Sequence, residues 1–104
     1  MESKARSKEL AARPAGLSAR GLLAVKGDSP GTTEAYRGAM RAFIAWAREN
    51  GRDLSAVGLA EYVAGLREDG AGASTVNMAL SAGKAALMQA AARSGMTAHV
   101  LAVL

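Results

Sequence analysis

Two rows of side chains in this 104-residue sequence have the types and spacing to do chemistry on a polyanion. Arg37, Arg41 and Arg48 lie four and seven residues apart. At about 100° per residue they project from one side of a helix, beside its apolar face. A guanidinium donates two parallel hydrogen bonds, so three in a row suit a run of phosphates. Ser74, Asn77, Ser81, Lys84 and Met88 form a second row at spacings of three and four. This row offers donors, acceptors and one positive charge. Asparagine can pair both its polar atoms with an adenine edge, and serine and lysine can hold phosphate. The alternative for each row is an ordinary solvated helix face with local Glu–Arg pairs, which is what most charge runs are. The second row departs from that pattern, because no Asp or Glu occurs anywhere from Ala71 to Leu104.

These rows need helices to hold them. Ser18 is expected to cap a short helix through Lys26, with Leu22, Leu23 and Val25 as its apolar part. Residues Gly27 to Gly31 read as a loop by composition. Thr32 or Thr33 is expected to cap a strong helix that stops at Asn50-Gly51, where glycine supplies the left-handed turn. Tyr36, Met40, Phe43, Ile44 and Ala47 give that helix one apolar face. Ser55 is expected to cap a third helix through Asp69, with Leu59, Tyr62, Val63 and Leu66 buried. Gly58 and Gly65 lower its intrinsic helicity, each by about 1 kcal/mol relative to alanine. Gly70-Ala71-Gly72 makes the next turn. A long helix follows from about Ala73 to Arg93, with Val76, Leu80 and Leu87 facing the core. Gly83 shares that stripe, where a missing side chain admits another helix. Tyr36, Trp46 and Tyr62 are expected in the core, as aromatics at helical spacing usually are.

Nothing alternates with a period of two, and no repeat is present, so the expected class is all-α: a compact bundle of about four helices. The chain divides into a basic arm with a short helix over 1–31, a helical domain over 32–96 and an apolar tail over 97–104. The net charge of +4 is uneven. Both ends are basic and the middle is nearly balanced, which is compatible with a polyanionic partner. There is no cysteine and His99 is the only histidine, which excludes disulfides and the common metal sites. The cysteine-free composition fits a reducing cytoplasm. No signal peptide or membrane span is expected. There is no Gly-rich phosphate loop and no nucleophile–base pair, so no cofactor, small-molecule substrate or self-sufficient enzymatic activity is expected.

Three segments, in order, resemble the core-binding domain of the tyrosine recombinase (phage integrase) family. The first is Thr33, Tyr36-Arg37, then Phe43 and Trp46, then Gly51. The second is Ser55 followed by Tyr62, Leu66 and Gly70. The third is Ser74-Thr75-Val76-Asn77, then Leu80-Ser81-Ala82. The resemblance covers about residues 32–96 and implies a SAM-like helical bundle that clamps one side of double-stranded DNA. It implies that Thr33, Arg37 and Arg41 meet phosphates. Ser74, Thr75, Asn77, Ser81 and Lys84 would lie toward the groove. It also implies self-association, since neighbouring protomers of the family touch on DNA. Two positions depart from the family pattern. Met78-Ala79 stand where basic residues are common, and fewer positive charges predict weaker binding; Gly83 stands where a bulky apolar residue is usual.

The family cuts DNA with a tyrosine nucleophile and supporting residues on a separate catalytic domain. Tyr62 lies in an apolar stripe and is not expected to be that nucleophile, and this chain is expected to lack the catalytic domain. Two other classes compete. An interaction module would use the apolar tail, His99 to Leu104, and no nucleic acid. A compact helix-turn-helix regulator fits less well, because Ala79, Ala82, Ala86 and Ala90 suit tight helix packing better than recognition.

Overall fold

The computed structural model describes residues 17–94, and serine hydroxyls open three of the four helices found there. Helix α1 spans Ala19–Leu23, α2 Pro30–Asn50, α3 Ala56–Glu68 and α4 Ala73–Ser94. No strand occurs among the described residues. The residues before Leu17 and after Ser94, including most of the basic arm and all of the apolar tail, lie outside the described residues. Ser18 Oγ accepts from the Gly21 amide at 2.9 Å, and Ser55 Oγ accepts from the Gly58 amide at 3.1 Å. Each satisfies an amide that the first helical turn leaves unpaired.

The start of α2 differs from expectation. Its cap is Ser29, whose hydroxyl accepts from the Thr32 amide at 3.1 Å, and not Thr32 or Thr33. Pro30 and Gly31, expected in a loop, form the first turn. Proline belongs there: its ring fixes φ near the helical value, and its missing N–H would have been an orphan anyway. Thr33 is freed for another task, and its Oγ1 accepts from the Gly27 amide at 2.9 Å. The helix stops as expected at Gly51, which is left-handed with φ 63°. Helix α1 is shorter than expected and ends at Leu23. Beyond it Lys26 turns its backbone to α4. The Lys26 amide donates to Gln89 Oε1 at 2.9 Å, and Gln89 Nε2 donates to the Lys26 carbonyl at 2.8 Å.

The four helices share one core. Leu22, Val25, Met40, Phe43, Leu59 and Leu87 are its largest fully buried side chains. Leu22 and Val25 come from the segment before Thr32, so that segment packs with the rest as one unit. Arg93 donates to the Gly21 carbonyl at 2.8 Å and ties the same segment to the end of α4. Leu80 is only half-buried, whereas Val76 and Leu87 are core as expected. Phe43, Trp46 and Tyr62 form an aromatic cluster between α2 and α3. Ring centroids are 6.2 Å apart for Phe43–Trp46 and 5.4 Å for each of the other two pairs.

Helix α4 is the central element, packed on all three others. Ala79, Ala82, Ala86 and Ala90 are buried and let neighbouring backbones come near. Gly83 goes further. A Cβ built there would lie 2.5 and 2.6 Å from the two δ-carbons of Leu59, itself 1% exposed. The side chain that would have to shift, Leu59, is itself part of the buried core. Gly83→Val is therefore expected to overpack the α3–α4 contact and cost about 1–3 kcal/mol. Chemical denaturation checks this as a lower midpoint at unchanged slope; an unchanged midpoint would show that Leu59 repacks freely.

Candidate nucleic-acid interface

The long α2 and α4 carry both rows of candidate side chains, and their outward faces differ in chemistry. On α2 the outward face carries Ala35, Gly38, Ala42 and Ala45 through its middle, with Glu34 and Glu49 toward its two ends, and all six are exposed. Arg37, Arg41 and Arg48 run along one edge of that face, roughly 60–100° round the helix from Gly38. Arg41 and Arg48 are exposed, and Arg37 is half-buried. Arg41 reaches Glu34 at 3.4 Å, with both side chains more than half exposed (58% and 67%). A pair so open to water is worth little and is easily exchanged for another anion. Arg37 Nε is buried and has no hydrogen-bond partner among the described residues.

On α4, Ser74, Thr75, Asn77, Ser81 and Lys84 are all exposed. Ser74, Asn77, Ser81 and Lys84 share one side of the helix. No hydrogen bond or ion pair among the described residues engages their side chains. Met88, expected in the same row, is half-buried and packs against the core. Thr75 sits further round, toward α2. The acid-free stretch read from the sequence is thus a real surface: the whole of α4 presents Lys84 and Arg93 and no carboxylate.

Two hollows lie beside these faces. An apolar groove of about 370 Å³ runs between α2 and the start of α4. Its walls include Gly38, Ala42, Tyr62, Ser74, Thr75 and Met78. A second hollow of about 400 Å³ lies at the start of α2 and brings Thr33 and Arg37 together with Lys26, Asp28, Ser29 and Glu34. The sequence-predicted residues are therefore gathered in two groups. Thr33 and Arg37 share one hollow and Ser74 and Thr75 share the other, while Asn77, Ser81 and Lys84 stand free on the outward face of α4 and Arg41 lies exposed beside Glu34. Lys26 was not singled out from the sequence. The Gly27–Thr33 bond folds the loop that carries it onto the start of α2, beside Arg37, and Gln89 holds its backbone from α4.

Tyr62 is half-buried, and burial raises its phenol above the ordinary value of 10.0. Its ring lies 5.4 Å from those of Phe43 and Trp46, so Tyr62 packs as part of the aromatic cluster. Among the described residues no group of three or more His, Cys, Asp or Glu could hold a metal ion. No helix there is long and apolar enough to cross a membrane.

Comparison with known proteins agrees with this architecture. The family of phage integrase N-terminal SAM-like domains matches residues 19–95, from the first residue of α1 to just past the end of α4. No curated protein and no solved structure matches the chain. The family match spans most of the sequence and all four helices. With the all-α architecture and the three ordered segments, it places the chain in the phage integrase N-terminal SAM-like domain family.

Proposed function

We propose that this domain binds double-stranded DNA across the outward faces of α2 and α4, as the core-binding domain of a site-specific tyrosine recombinase. The observation that carries this reading is the exposed side of α4. It sets Ser74, Asn77, Ser81 and Lys84 in one row with no carboxylate along the helix and no internal partner for their side chains. A helix of this kind fits the major groove, which is about 12 Å wide and admits one α-helix. The neighbouring face of α2 supports the same geometry. Ala35, Gly38 and Ala42, which line the groove beside the start of α4, project little and leave that part of the helix open. Arg41 and Arg48 at the edge of that face, with Arg37 beside them, are placed for phosphates. Phosphate contacts fix position and base contacts on α4 supply any sequence preference. Strand cleavage is assigned to no residue of this domain.

The test is binding of the purified chain to a labelled generic duplex, titrated across salt concentration. Affinity is expected to fall steeply, with a log–log slope of about −0.9 for each phosphate neutralised. Three to five such contacts give a slope of roughly −3 to −4.5. Absence of binding at low salt would remove DNA as the partner and turn attention to protein contacts, for which the apolar residues His99 to Leu104 are the first candidates.

A further inference from the structure

We infer that α4 selects adenine, with Asn77 as the residue that determines this preference. The inference rests on the DNA-binding reading and narrows it to one base. Asn77 is exposed at the middle of the α4 row, one turn from Ser74 and one turn from Ser81. Its amide is engaged by no other described side chain or backbone group, so both of its polar atoms are available without breaking anything.

The chemistry of the row decides which base it fits. Adenine shows an acceptor (N7) beside a donor (N6–H) in the major groove. Guanine shows two acceptors, and cytosine shows a donor alone. A carboxamide offers one acceptor beside donors, so it matches adenine with both atoms. Against guanine its oxygen would face another oxygen. Guanine is normally read by arginine or lysine. The cations of α4 are Lys84 and Arg93, two turns and more than four turns beyond Asn77, and Arg93 is already bonded to the Gly21 carbonyl. A base at Asn77 therefore meets no competing guanine reader. The residue that follows, Met78, is turned about 100° round the helix into the groove beside α2, so it leaves the choice of base to Asn77. Ser74 and Ser81 accept or donate to any base and oppose nothing.

The experiment selects duplexes from a library with a randomised centre, using the full chain, and then compares wild type with Asn77→Ala on the winners. Adenine is expected at one fixed position, favoured over guanine by roughly five- to a hundredfold, the range of a good bidentate pair. N77A is expected to flatten the preference at that position and to keep the salt slope, because no phosphate contact is lost. Replacing the selected adenine by 7-deazaadenine removes N7 alone. It should weaken wild type several-fold and leave N77A unchanged. Steep salt dependence with no adenine preference, or an analogue that weakens both proteins equally, would overturn the assignment of Asn77 while leaving DNA binding intact. No salt-dependent binding at all would remove both.

Discussion

Phe43→Ala is expected to abolish most of the domain's cooperative stability. Phe43 is 0% exposed and is the largest fully buried side chain among the described residues. Removing a buried phenylalanine side chain costs about 3–5 kcal/mol, from lost transfer energy and the cavity left behind. Here the ring also stacks on Trp46 and tilts against Tyr62, and aromatic pairs of this kind add about 0.5–1.5 kcal/mol each. A domain of this size has only roughly 5–10 kcal/mol in total. The loss is half of that or more, and a midpoint shift of more than about 12 °C follows. Trp46 is the only tryptophan and lies against Phe43, so its fluorescence and far-ultraviolet circular dichroism can be followed through the same melt. A melting point within a few degrees of wild type would show that the α2–α3 aromatic cluster is peripheral to stability. Phe43→Leu, which keeps much of the volume, should fall well short of the alanine loss.

Which parts of this architecture are legible in the sequence follows from the range of the forces involved. Ser18, Ser55 and Gly51 are local signals: a hydroxyl three residues before an amide, and a glycine where the chain must turn left-handed. Each is found where its chemistry says. Pro30 is also local but ambiguous. The same ring that breaks a helix inside it stabilises one at its first turn, and only the position of Ser29 decides between the two. Gly83 could be read as a close-approach site because it falls on the buried stripe of α4. Gly58 could not. As sequence it is merely a weak helix former, yet a side chain there would run into the carbonyl oxygen of Asp53, so the turn into α3 needs it. The clasp between Gln89 and Lys26 is invisible locally because its partners are 63 residues apart.

The candidate interface divides in the same way. Helical phase alone defines the two rows, and the exposure of Ser74, Asn77, Ser81 and Lys84 on one side of α4 follows from it. Phase also places Arg37, Arg41 and Arg48 on one edge of α2. What phase cannot supply is the relation between helices. That α2 turns a face of glycine and alanine outward beside the α4 row is a tertiary fact. Met88 shows the limit within a single helix. It shares the phase of the polar row but leans onto the core, because a long flexible side chain near the edge of a stripe follows apolar surface where it can.

Changing Arg37, Arg41 and Lys84 together to alanine is expected to lower affinity for duplex DNA by two to three orders of magnitude near 0.1 M salt. If each neutralises one phosphate, the log–log salt slope should become shallower by about 2.7, and that slope sets the size of the loss at this concentration. The fold should survive the change. Lys84 is exposed and unpaired, and Arg41 gives up only an open pair with Glu34. Arg37 Nε is buried without a partner, so its removal discards an unsatisfied donor as well as a charge. Circular dichroism of the variant should match wild type, which separates lost contacts from lost structure. The three residues also sit in different places: Arg37 in the hollow at the start of α2, Arg41 on the edge of α2, and Lys84 on α4. Single variants that each reduce the slope by about 0.9 would mean that one duplex spans both helices. A reduction confined to Lys84 would restrict the interface to α4 and leave the arginine edge as solvated surface. An unchanged slope in the triple variant would remove all three from contact with phosphate, and with them the electrostatic basis for DNA binding through α2 and α4.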